Sequence, residues 1–293
     1  MTTISRADLA ACAAHITSTV EIFAVLTDLR LVPQPGSPAD QELAEARELK
    51  LSDGTWGESP VRTAYSAALM SYMVALDEAR AMAAAMTGPV MTAIPEVVLA
   101  RSLAEICSQA WWLLEAGTGA RGRVERLQCF RLRSAIEGQA AAKADEIAEA
   151  DWPSYTETQA TVVEYSRKLG IAVPSKDDYA YVCGSQRMKS ASRRIADMFS
   201  DVGVRAVFNI QSGFTHGELY ALWQGFEQRS DGQPLRLVKN EETVKGAVAV
   251  AARALYRPAA RLAELYGLGP FPGPADWADE HDAVTRQPEL PTK

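Results

Sequence analysis

Apolar residues recur every three to four positions along most of this chain, and period-two alternation is nearly absent. That spacing lays a stripe along one side of an α-helix and cannot line one face of a strand. The stops confirm the period. Ser5 stands as N-cap of a first helix, with Leu9, Ile16, Val20, Phe23 and Leu26 on one side, and the Pro33-Gln34-Pro35-Gly36-Ser37-Pro38 stretch ends it. A second helix opens at Ser59-Pro60 and stops at Gly88-Pro89. A third runs from Pro95 to Ala116, with Gly117 and Gly119 as its stop, a fourth from Arg121 to Ala150, and a fifth from Tyr155 to Leu169. Asp177 to Val182 reads as a short helix. Further helices follow over Lys189 to Phe199, Val204 to Gln228 and Glu241 to Tyr266, the last containing Pro258. Leu235 to Val238 has strand spacing but no evident partner.

This pattern predicts an all-α protein, a single antiparallel helical bundle of six to eight helices over residues 1–266. Segment 32–58 reads as a mobile loop or lid, with a short helix from Leu43 to Leu51, and 267–293 as a loosely ordered tail. A net charge of -7 argues against a general nucleic-acid coat, though not against a local basic groove. The cysteines Cys12, Cys107, Cys129 and Cys183 are scattered, and with only three histidines a Cys/His zinc site is improbable. They read as reduced, packed thiols. No signal-peptide pattern and no uninterrupted apolar stretch of spanning length is evident, so the expectation is a cytoplasmic protein without a membrane partner.

Two segments mix charge with apolar residues. In the first, Arg101, Glu105, Ser108, Trp112 and Glu115 share a helix face, and Arg121, Arg123, Arg126, Arg131 and Arg133 follow against one acid, Glu125. Arginines at a helix start oppose the macrodipole unless an anion or partner carboxylates compensate them. Arg101, Glu105, Arg126 and Arg133 are therefore candidates for holding a phosphate or other anion, and the alternative is a set of internal salt bridges fixing register. Arg187, Lys189, Arg193 and Arg194 form a second basic cluster that could extend such a groove. In the second segment, Ser212 and His216 lie four apart on one face, which offers a general acid or base beside a hydroxyl. An apolar-helix histidine that merely satisfies core partners is the competing reading. Neither a metal set nor a cofactor loop is apparent: Asp145 and Glu149 lack a matching acidic helix, and no phosphate-binding glycine loop exists.

The order Arg101…Glu105…Trp111-Trp112-Leu113-Leu114-Glu115, then Arg123-Val124-Glu125-Arg126, then Ser212-Gly213-Phe214-Thr215-His216-Gly217 resembles uncharacterised helical proteins of actinobacteria and other bacteria, similar in style to HEPN-like helical domains. The likeness covers about residues 95–137 and 204–223. It implies a helical bundle, a homodimer, and a stress or defence protein acting on RNA, with His216 as acid/base, Ser212 beside it and arginines on phosphate. The arginine nearest upstream of His216 is Arg205, eleven positions away, wider than the short Arg–His spacing of HEPN ribonucleases. The residues themselves leave a second reading open, a non-catalytic ligand-binding or protein-interaction bundle, and do not decide whether the protein is an enzyme.

Overall fold

The computed structural model describes residues 3–28, 31–51, 54–89, 94–144, 155–173, 182–200, 213, 215–216, 218, 226–227 and 236–269. Eight helices with defined bounds lie among them: α1 (Arg6–Asp28), α2 (Pro38–Glu48), α3 (Ser59–Thr87), α4 (Pro95–Leu113), α5 (Gly119–Ala144), α6 (Tyr155–Lys168), α7 (Ala191–Met198) and α8 (Glu241–Tyr266). Three two-stranded antiparallel hairpins join them: β1 (Lys50–Leu51) with β2 (Gly54–Thr55), β3 (Val182–Cys183) with β4 (Gln186–Arg187), and β5 (Phe226–Glu227) with β6 (Arg236–Leu237). The fold is all-α.

Helix ends follow local chemistry. The Ser5 hydroxyl accepts from the Asp8 amide (3.1 Å), Ser37 from Asp40, Ser190 from Arg193, and the Asn240 side chain from Thr243. Each satisfies an amide that the first turn leaves without a carbonyl. Glu241 and Glu242 add negative charge at the N-terminus of α8, and Gly267 closes that helix at φ 68°, a conformation costly for any residue with a Cβ.

α8 is the axis of the core, packing on α4, α1, α2 and α3. Its alanines and valines (Val244, Ala247, Val248, Val250, Ala251, Ala254) are fully buried. Small side chains on that helix let its neighbours approach closely. The Tyr72 hydroxyl of α3 donates to the Leu255 carbonyl (3.0 Å), and the Phe23 ring of α1 lies 6.3 Å from that of Tyr256. Residues near 23 and 72 therefore sit at one level of the molecule. Arg6 at the start of α1 donates to the Pro89 carbonyl beyond the end of α3, so these two helices run in opposite directions.

Several expectations need correcting. Segment 32–58 is not one long connection: it holds α2 and the β1–β2 hairpin. Ala39, Glu42, Leu43, Ala46 and Trp56 are buried there, and the Trp56 indole donates to the Leu169 carbonyl (3.1 Å). Its prolines and glycines are the caps and turns of short elements rather than marks of a loop. The helix in that segment begins at Pro38, not Leu43. Residues 226–227, read as the end of a long helix, instead form the strand that partners Arg236–Leu237. A period-two dipeptide cannot announce its mate when the mate lies nine residues away. Most of the helix expected over 204–228, the short helix over 177–182 (apart from Val182, a strand residue) and the tail from 270 onward lie outside the described residues. By length and mean hydropathy (1.7) the Arg6–Thr27 window of α1 could cross a membrane, and 44% of it is buried against the rest of the chain. Alanine, valine and isoleucine there outweigh Arg6, Asp8 and Glu21.

Lys239, just before α8, forms an ion pair with Glu96 in the first turn of α4, and both side chains are sealed from solvent. Lys239→Met would leave the Glu96 carboxylate buried and unpaired, at a cost of about 3–5 kcal/mol. Chemical denaturation should show that loss, and Lys239→Met/Glu96→Leu should recover most of it.

Candidate functional site

The arginine run lies in the first half of α5, and its surroundings explain its density. α5 begins where Glu45 of α2 accepts from the Ala120 amide (2.8 Å), placing a carboxylate on the positive end of the helix. One turn on, Arg123 is fully buried. Its Nε and Nη2 donate to the two oxygens of Glu42 at 2.5 and 2.6 Å, a bidentate fork that lysine could not reproduce. The Tyr65 hydroxyl donates to the same carboxylate (2.7 Å), and the guanidinium lies 5.3 Å from the Tyr65 ring centre. Burial, followed by the Glu42 charge, pushes the Tyr65 phenol well above its ordinary value.

The remaining donors of these arginines go to the end of α4. Arg123 Nη1 donates to the Leu113 carbonyl and Nη2 to that of Glu115 (3.1 Å). Arg126 donates to Trp112 (2.6 Å) and Arg261 of α8 to Trp111 (2.9 Å). A helix C-terminus leaves its last carbonyls without amide partners and carries partial negative charge. Three guanidinium groups satisfy them here. The same cations lie over aromatic rings: Arg261 is 3.6 Å from the Trp111 ring centre and Arg126 is 5.1 Å from that of Trp112. Glu115 pairs with Arg126 at 2.6 Å and lies 3.9 Å from Arg261. Burial lowers the Arg261 pKa to about 10 against the opposing Glu115 charge, and lowers that of Arg126 as well.

On the other side of α5, Glu125 bonds Arg121 (3.1 Å) and the amide and hydroxyl of Ser185 (2.9 and 2.8 Å). Arg121 also donates to the Gly170 carbonyl (2.7 Å). Gly184, at φ 58°, has no room for a side chain, since a Cβ would stand 2.1 Å from Glu125 Oε1. The Cys129 thiol lies 3.5 Å from the carbonyl of Gln186, the register partner of Cys183, so the β3–β4 hairpin brings these two buried cysteines together. Gln128, fully buried, has no partner for either amide atom.

The proposed anion ligands are distributed as follows. Arg101 bonds Glu105 at 2.6 Å, Arg126 bonds Glu115, and Arg133 bonds Glu137 at 2.7 Å. Arg101 and Glu105 on α4 and Arg133 on α5 belong to one charged cluster, because Arg194 of α7 feels Arg133, Glu105 and Glu137 together. Arg126 belongs instead to the cap of α4. His216 is helical and exposed; Ser212 lies outside the described residues, so a Ser212–His216 contact is not described. Among the described residues no group of three or more histidines, cysteines or acids could hold a metal ion.

Sequence reading missed Glu42, Glu45, Tyr65 and Arg261 as partners. Their partners lie tens of residues away, and only the demand that the arginine run find carboxylates pointed toward them. No protein-family model, no curated protein and no solved structure matches this chain.

Two outcomes follow. Glu78 accepts from the Ser102 hydroxyl at one oxygen and has no partner at the other, and burial raises its carboxyl pKa. A carboxyl whose pKa is raised on folding binds its proton more tightly in the native state, so it destabilises progressively as pH rises above the ordinary carboxylate value. Glu78→Gln should therefore unfold at a higher temperature than wild type at pH 7, with the difference vanishing near pH 4. His216→Ala, at an exposed position, should change stability by less than about 0.5 kcal/mol, measured as an unchanged melting midpoint.

Proposed function

We propose that the protein is a non-catalytic helical interaction module that docks through the face formed by α1 and α3, with a second copy of itself as the occupant. One observation carries this reading. All the exposed large apolar side chains among the described residues (Ile22, Val25, Val32, Met70, Met73 and Val74) lie on α1, on α3 or just beyond α1. Phe23 and Tyr72 meet adjacent residues of α8, which places 22–25 and 70–74 at one level of two neighbouring helices. Concentrated exposed apolar surface marks an interaction site, whereas single scattered residues do not.

Further along the same pair of helices runs an open groove of about 490 Å³, floored by Ala10, Ala13, Ala14, Ala83 and Ala84. Glu21 lines one wall and Arg80 the other. A surface that carries one acid and one base across a groove is complementary to itself under two-fold symmetry, as an isologous dimer requires. Small floor residues would let a helix approach closely.

The RNA reading draws less support. Three of its arginines are already bonded to carboxylates or helix carbonyls, contacts that a phosphate would have to displace. Sedimentation equilibrium should find a dimer for wild type and a monomer for Val25→Asp/Met73→Asp. A monomeric wild type at every soluble concentration would contradict the reading. Salt-sensitive binding of single-stranded RNA, abolished by Arg133→Ala, would replace it with the RNA alternative.

A further inference from the structure

Arg194, on α7, departs from the pattern of the other buried arginines. Its side chain is 1% exposed. Arg123, equally buried, has Glu42, and Arg126 has Glu115, but no carboxylate lies within ion-pair distance of Arg194 among the described residues. Its bonded contact is a donation from Nη1 to the Lys189 carbonyl (2.6 Å), while Nε has no partner. The neighbouring Arg193 and Lys189 both turn to Asp197, leaving Arg194 inside. The strongest charge acting on it is another cation, Arg133, and burial with that repulsion lowers its pKa to about 10.

A buried guanidinium with no carboxylate in ion-pair contact is a costly arrangement for a protein interior. Where such a group persists, something anionic is expected to meet it. The charges that act on it are Arg133, paired with Glu137, and Glu105, paired with Arg101. The outer members are partly open to solvent: Arg133 at 24%, Glu105 at 32% and Glu137 at 55%. The cluster thus has a solvent-facing edge above the buried Arg194 guanidinium, contributed by α4, α5 and α7.

We propose that this cluster is a binding site for a small oxyanion, a phosphate or carboxylate group received by Arg194 with Arg133 beside it. The planar fork of Arg194 has Nε free, and that donor geometry suits the two oxygens of such a group. The site lies on helices other than α1 and α3, so its occupancy and the oligomeric state are read independently, and either can fail without the other.

The test is thermal unfolding of the full chain in sodium phosphate and in sodium acetate, each against sodium chloride at equal ionic strength. For wild type, at least one oxyanion should raise the midpoint by about 5 °C at saturation beyond the chloride control. Arg194→Met should lose that rise while unfolding, without oxyanion, at or above the wild-type temperature, since it removes an unpaired buried charge. Arg193→Met, altering an exposed neighbour, should keep the rise. Should Arg194→Met not fold, Arg194→Lys takes its place, with an expected weakening of the response, and phosphorus-31 line broadening of inorganic phosphate by wild type gives a readout free of mutation. A wild-type midpoint no higher in either oxyanion than in chloride would overturn the proposal, as would an undiminished rise in Arg194→Met.

Discussion

The C-terminus of α4 ends against three arginines, and the arrangement of the surrounding helices follows from that contact. The carbonyls of Trp111, Trp112 and Leu113 would otherwise lack these donors, a penalty of about 1–3 kcal/mol for each buried group left unsatisfied. Guanidinium groups meet them from two directions, Arg123 and Arg126 from α5 and Arg261 from α8. The chain must turn back sharply after α4 to bring α5 there, which Gly117 and Gly119 allow by adopting φ 71°. The cations then need compensation of their own. Glu115 supplies it to Arg126, and Glu42 supplies it to Arg123 from α2, which draws the segment between α1 and α3 into the core.

Such a network adds little net stability over apolar packing of the same shape, because desolvation offsets most of the attraction. Its effect lies in orientation. A bidentate pair such as Arg123–Glu42 tolerates little rotation of α2 against α5, and an arginine stacked on Trp111 fixes α8 against α4. The interior elsewhere is alanine-rich and would accept several registers, since small side chains interlock weakly. Polar contacts of fixed geometry choose among those registers.

Much of the fold was legible because helix punctuation is local. The limits of α8 coincide with the sequence reading at Glu241 and Tyr266, and α3 at Ser59 and Thr87, since Asn240, Pro60 and the glycines mark ends within a few residues. Of the three hairpins only the strand spacing at Leu235 to Val238 was legible, without its partner, since two residues a strand are too short for periodicity to register elsewhere. The α2 segment was misjudged for a related reason, as its loop-like composition hides four buried residues. At the site, the sequence showed that the arginine run needed carboxylates but not which ones, because Glu42 and Arg123 are 81 positions apart. Arg194 carried no distinguishing signal at all: a basic cluster of four looks alike whether its members face solvent or, like one of them, the core.

The central claim is that Arg123 and Arg126 are built into the fold as a paired cap on α4 rather than held open for a ligand. The most direct test is a double-mutant cycle by chemical denaturation with Arg123→Met, Glu42→Met and the two combined. Each single change should cost about 3–5 kcal/mol, and the double change far less than their sum, because the charge stranded by either one is removed by the other. Small, additive losses would contradict the account, showing that neither charge depends on its partner.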